Sequence, residues 1–214
     1  MMTLQQLLNF PAAPEVALLF MTCVVLLLEL FVKQKNSLLT YTASQLSLLI
    51  SLVLVSHLYR IPAQLLFHQH YIWDLVAYFI KLSILFFSIF AFVYARDALK
   101  HLGINSGEYY LLGLFSILGM LVLTSANSLL TLYLGLELLS FPLYALVALQ
   151  RKPSDAAEAA MKYFILGALA SGLFLYGLSL LYGATHSLII PTINQVLLQG
   201  GQSPILLTTG LVFI

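Results

Sequence analysis

Charge is what this sequence has least of. Only 8% of its 214 residues are Asp, Glu, Lys or Arg, where a soluble domain carries about 25%. With 61% hydrophobic residues and a mean hydropathy of +1.00, an ordinary water-soluble globule is excluded. Nine Lys and Arg against eight Asp and Glu leave a net charge of +1. Nothing here could neutralise a run of phosphates, so nucleic acid is excluded as a partner. Cysteine is nearly absent: Cys23 stands alone, so there is no internal disulfide. No Cys/His cluster has the spacing of a zinc or iron-sulfur site, and no metal site is expected. His68 and His70 share a loop, but two ligands without a third do not make one.

What is present is a row of long apolar runs. A helix needs about 20 apolar residues to cross about 30 Å of hydrocarbon. Runs of that length, bounded by charge or turn residues, predict spans near Pro14 to Val32, Leu38 to His57, Leu75 to Ala95, Tyr109 to Ala126, Ser128 to Leu149 and Ala156 to Tyr182. A seventh, from Pro204 to the end, has 11 residues and reaches roughly 16 Å, half the bilayer core. The pattern predicts an all-α polytopic membrane protein of about seven transmembrane helices, the last incomplete, and a chain that is the N-terminal part of a longer one. Met1 to Ala13 lacks the basic start of a cleavable signal peptide. Ala126-Asn127-Ser128 leaves room only for a tight hairpin between spans four and five. The segment from Thr185 to Ser203, rich in Pro, Gly, Asn and Gln, reads as a re-entrant or surface loop with a short strand.

Lys and Arg in short loops set orientation. Lys33 and Lys35, Arg96 and Lys100, and Arg151 and Lys152 follow spans one, three and five, while Arg60 alone follows span two. This places the N-terminus outside and the basic loops in the cytoplasm.

An ionisable side chain inside a span costs about 2.5 to 3.5 kcal/mol on insertion scales, so each needs a reason. Glu137 lies near the middle of span five, too deep for a short carboxylate to reach headgroups. Tyr133, Ser140 and Tyr144 fall at i−4, i+3 and i+7 from it, on one helical face that must point into protein or water. Pro142 removes a backbone hydrogen bond to Leu138, inviting water or a kink beside a carboxylate able to load and release a proton. Lys162, in span six, has Glu158 one turn before it; an acid beside a lysine can act as a proton relay. Glu29 precedes Lys33 by four residues, the order of a helical ion pair, and Lys81 is expected to snorkel outward past Trp73 and Tyr78; both read as structural. In span six, Gly167-x-x-x-Ser171 and Ala168-x-x-x-Gly172 are spacings for close helix packing. No haem-ligating histidine pair lies within the spans.

The run LGLELLSFPLY from Leu134 to Tyr144, followed by EAAMKYFILGA from Glu158 to Ala168, resembles the antiporter-like membrane subunits of respiratory NADH:quinone oxidoreductase, complex I, and among them subunit N. The resemblance implies two inverted five-helix repeats within about fourteen helices. Residues 1–108 would hold three preceding helices, and 109–214 the first part of the first repeat. It implies that Glu137 pairs with a lysine on a later, broken helix, and that Lys162 matches the family's sixth-span lysine. Proton translocation by Glu137 and Lys162 follows, with Tyr133, Ser140, Pro142 and Tyr144 supporting. NADH, flavin, iron-sulfur clusters and quinone would be bound by other subunits and none by this chain. The expected partners are other membrane subunits and the lipid bilayer of a bacterial cytoplasmic membrane. The same pattern fits subunits of cation/proton antiporters or membrane-bound hydrogenases, and a structural or assembly subunit carrying no protons is the alternative of another class. A solute transporter would need paired broken helices around a midplane site, and one Pro-interrupted, charged span does not meet that.

Overall fold

The computed structural model describes residues 9–31, 37–102, 106–149, 154–198 and 204–214. In chain order it contains α1 (Ala13–Phe31), α2 (Ser37–His57), a 3-10 turn (Leu58–Arg60), β1 (Gln64–Leu66), β2 (Tyr71–Trp73), α3 (Leu75–Leu102), α4 (Ser106–Thr124), α5 (Leu129–Val147), α6 (Ser154–Thr185), α7 (Ile190–Leu198) and α8 (Pro204–Phe213). Helices α1 to α6 are long and apolar enough to cross a membrane, and they coincide with the six full-length runs in the sequence. The protein is an all-α polytopic membrane fold.

Three features differ from the sequence expectation. Helix α3 continues seven residues past Ala95, through Arg96 and Lys100, to Leu102; a charged residue ends a membrane span but does not end a helix. The segment after Thr185, expected as a re-entrant or surface loop with a short strand, holds the nine-residue helix α7. Its extended part is one isolated pairing of Ser128 with Ile189. The loop carrying His68 and His70 is a small antiparallel hairpin, β1 with β2, in register Gln64 to Trp73. Lys33, Lys35, Arg151 and Lys152 lie outside the described residues.

The core is concentrated in the first four helices, where Leu18, Val25, Leu48, Leu85, Tyr110, Leu114 and Leu121 have almost no exposed surface. Lipid gives helices no hydrophobic reason to associate, so packing depends on small residues that let backbones approach. Helix α2 supplies such a stripe: Thr40, Ser44, Ser47 and Ser51 are buried at helical spacing. Each of these three serines bonds the carbonyl four residues back: Ser44 Oγ to Thr40 O (2.8 Å), Ser47 Oγ to Ala43 O (2.8 Å) and Ser51 Oγ to Ser47 O (3.0 Å). No hydroxyl in the stripe is left unpaired in an apolar setting. Helices α4 and α5 meet closest of all. A Cβ at Gly119 would strike the backbone of Leu138 and Leu139, and one at Gly135 the backbone of Leu123. Gly177 and Gly210 play the same part between α6 and α8.

One end of the bundle is stitched by backbone hydrogen bonds among three connections. Ile72 N–H donates to Ser125 O (2.9 Å) and Asn127 N–H to His70 O (3.0 Å). Leu129 N–H donates to Leu188 O (2.9 Å) and Ile190 N–H to Asn127 O (3.1 Å). The hairpin turn reaches this patch through three consecutive left-handed residues, Phe67, His68 and Gln69, with φ of 51°, 55° and 70°. Non-glycine residues rarely adopt that conformation. Here Asn127 Nδ2 donating to Gln69 O (2.7 Å) and His70 N–H to Phe67 O (3.1 Å) hold it.

Candidate functional site

Helix α5 starts at Ser128, an extended residue (φ −133°, ψ 151°) whose hydroxyl accepts the Thr131 N–H at 3.2 Å. That cap satisfies one of the free amides at a helix start, and it fixes which way the helix faces. Because Asn127 allows only a tight turn, α5 runs antiparallel to α4 and presents Gly135 to it. Pro142 lies seven residues on, two turns along the same side, and is buried. Pro142 therefore faces α4, and on that side Ser116 Oγ donates to the neighbouring Leu139 O at 3.3 Å; the carbonyl that the proline itself frees is that of Leu138. Five residues from Pro142 is about 140° of helix rotation, so Glu137 points elsewhere.

It points to α6. Ser171 Oγ donates to Glu137 Oε1, leaving the carboxylate half-buried between two membrane helices. Two neighbours on the predicted face make the same crossing. The Tyr133 ring stacks on Phe174, 5.9 Å between centroids and 21° between planes. Tyr144 packs edge-on against Tyr163 (4.8 Å) and Phe164 (5.8 Å), and its hydroxyl sits where a Cβ of residue 167 would be. Gly167 thus makes room for Tyr144. Ser140 lies half-buried between them. The sequence placed Tyr133, Glu137, Ser140 and Tyr144 on one face, and the structure directs Tyr133, Glu137 and Tyr144 at α6. Ser171, legible only as a packing residue, is the hydrogen-bond donor that completes the site. Gly172, from the second small-residue pair, has nothing within 4 Å of its Cβ position.

Lys162 does form its ion pair with Glu158, at 2.6 Å, with the two side chains 71% and 65% exposed. Nine residues separate Lys162 from Ser171, about 14 Å along the helix, so Lys162 and Glu137 are not brought together. A chain linking them would need intermediates, and the Tyr144 hydroxyl at Gly167 lies between.

Two further acids sit in places the sequence did not indicate. Glu29 accepts a hydrogen bond from Thr40 Oγ1 of α2 and occupies the space beside Gly107, at the start of α4; Lys33 lies outside the described residues. Lys81 does not snorkel outward. It has no exposed surface, and its Nζ pairs with Glu15 of α1, donates to Tyr71 Oη (2.8 Å) and lies 4.8 Å and 5.0 Å from the ring centroids of Tyr71 and Trp73. Glu15, one turn into the first span, was missed because an acid in a helix's first turn is an ordinary complement to the helix dipole. Its partner lies 66 residues away, and no local pattern reports that. Among the described residues there is no cluster of three His, Cys, Asp or Glu that could hold a metal.

Residues 126–214, which include α5, α6 and the acid between them, match the family described as NADH:quinone oxidoreductase/Mrp antiporter, TM. NADH-quinone oxidoreductase subunit N of Nitrosomonas europaea is 43% identical over 204 residues, covering 95% of this chain and 42% of the relative. Its counterpart in Halorhodospira halophila is 47% identical over 204 residues, with the same coverage. The chain is similar to subunit N along nearly all of its own length. It spans less than half the length of the subunit N relatives it matches. Among solved structures, it is similar to a chain of respiratory complex I from Thermus thermophilus with bound aureothin, with a TM-score of 0.71 and 30% identity, covering 92% of this chain and 43% of that one. A chain of the membrane-bound sulfane sulfur reductase, an archaeal respiratory membrane complex, shares the fold, with a TM-score of 0.76 at 23% identity over 95% of this chain and 43% of that one.

Proposed function

We propose that this chain forms part of a proton-translocating membrane subunit of an NADH:quinone oxidoreductase in a bacterial cytoplasmic membrane. The observation that carries the reading is Glu137, an acid held by Ser171 between two membrane helices in the region that matches the antiporter family. A carboxylate at that depth is costly and has a proton-handling role as its best physical explanation. Its charge state responds to any cation brought near, because a low-dielectric surrounding screens little. Electron transfer in other subunits, where NADH, flavin, iron-sulfur clusters and quinone would be bound, supplies the energy. In this chain the residues only hold, orient and pass protons. Lys162 with Glu158 takes up protons near one membrane face, and Tyr133, Ser140 and Tyr144 line the route to Glu137. Pro142 loosens the backbone one residue from the acid. The other membrane subunits of the complex are the partners.

Orientation rests on the basic residues. Arg96 and Lys100 extend α3 beyond the span at one end, and among the described loop residues at the hairpin end Arg60 is the only Lys or Arg, so the N-terminus and hairpin are outside. A cysteine placed at His68 should react with an impermeant thiol reagent from the outside of intact cells; labelling only after the membrane is opened would reverse the assignment.

The test of the function is Glu137→Gln in the full-length protein. NADH-driven proton pumping in vesicles should fall several-fold with the complex still assembled, and undiminished pumping would remove the role of Glu137. A second reading, a subunit of a cation/proton antiporter, is favoured by the antiporters included in the matching family. Proton movement driven by a sodium gradient and indifferent to NADH would select it.

A further inference from the structure

The Glu15–Lys81 pair belongs to none of the steps proposed above, and it is incomplete as it stands. Lys81 Nζ contacts Glu15 Oε1 and Tyr71 Oη and faces two aromatic rings. The Tyr71 hydroxyl has two acceptors in reach, Pro11 O (3.0 Å) and Glu15 Oε1 (3.1 Å), but one proton to give. Among the described residues, Glu15 Oε2 is buried with no hydrogen-bond partner, and so is the Ser125 hydroxyl. Both belong to the surroundings of one atom. Glu15 bonds the Tyr71 hydroxyl, and Ser125 stands beside it without a hydrogen bond of ordinary geometry. Glu15 is 6% exposed and Ser125 is 0% exposed.

A buried carboxylate oxygen with no donor costs the full desolvation of that atom, and native proteins rarely leave one so. It can be satisfied by a proton on the carboxyl group or by water. A proton taken from outside the pair would leave the Lys81 ammonium sealed in the core with no anion, the most costly arrangement of a buried pair, and one taken from Lys81 would leave at Oε2 a buried O–H donor with no acceptor among the described residues. Water meets the need without that. A buried water requires two to four polar partners; Glu15 Oε2, Ser125 Oγ and the Tyr71 hydroxyl supply three.

We propose that Glu15, Tyr71, Lys81 and Ser125 enclose a water-binding site, in which one buried water donates to Glu15 Oε2, bonds the Ser125 hydroxyl and keeps the Glu15–Lys81 pair ionised. The site joins four parts of the chain: α1 through Glu15, α3 through Lys81, the hairpin through Tyr71, and the α4–α5 turn through Ser125. The Tyr71 phenol is held well above its usual range, chiefly by burial and next by the Glu15 carboxylate. It stays a neutral donor throughout.

Two measurements on the intact membrane assembly test this. In cryo-electron microscopy at a resolution that shows internal waters, density is expected at about 2.7 to 3.2 Å from both Glu15 Oε2 and Ser125 Oγ, and its loss is expected in Ser125→Ala. Dry packing at the site, with waters visible elsewhere in the membrane region, overturns the proposal. Infrared spectra at neutral pH should show no protonated-carboxyl band that Glu15→Gln removes. Such a band would mean that a proton, not a water, occupies the free oxygen, and would overturn it too. Neither readout depends on proton pumping, so a negative result here leaves the role of Glu137 untouched.

Discussion

Two lysine–glutamate pairs place the same chemistry in opposite surroundings. Lys81 and Glu15 meet across two helices, sealed under the hairpin, with side chains 0% and 8% exposed. Lys162 and Glu158 meet one turn apart on a single helix, more than half exposed. The first pair cannot separate without leaving a charge in the core, so it acts as a fixed joint. The second is held by little and can exchange protons with its surroundings. Glu137 lies between these extremes: half-buried, with one hydroxyl donor and one oxygen left to respond. A charged group in a membrane is therefore not by itself a sign of transport. How completely its partners enclose it decides which role it can play.

The comparison can be broken most directly at Lys81. Lys81→Met strands Glu15 and should cost about 3 to 5 kcal/mol, seen as a large drop in the thermal unfolding midpoint of the detergent-solubilised protein. Lys81→Met combined with Glu15→Gln should recover much of it, because neither charge is then stranded. If the single variant unfolds no earlier than the natural protein, the first pair is not a joint. A smaller effect is expected at the seam between the two regions: Gly119→Ala drives a methyl group into the backbone of α5 and should cost about 1 to 3 kcal/mol by the same measurement. Smallest is Lys162→Gln. It removes an exposed i,i+4 pair worth under about 0.5 kcal/mol, so stability should barely move while NADH-driven pumping falls. An unfolding midpoint lowered as far as in Lys81→Met would erase the contrast.

The spans were legible because a membrane sets their length and leaves few ways to satisfy a backbone. The face carrying Glu137 was legible for a similar reason, since helical spacing alone puts Tyr133, Ser140 and Tyr144 beside it. What escaped depended on distance in sequence or on brevity. Glu15 finds Lys81 across 66 residues. Ser171 is one hydroxyl within a run of small residues whose spacing is explained by packing alone. The hairpin has three-residue strands and a turn without glycine, so neither alternation nor turn chemistry announces it. Helix α7 hides in a segment whose proline, glycines and amides point to a loop, though Ile193 and Leu197 already lie on one side of it.

The stitched end of the bundle also bears on how the protein is made. Its three strips of chain leave the ribosome far apart in time, at residues 64–73, 125–129 and 186–190. The Leu129 amide obtains its acceptor, the Leu188 carbonyl, only after α6 has been inserted. Until then the amino end of the helix bearing Glu137 lacks this bond, so that helix is fastened only after the helix that supplies Ser171 is in place.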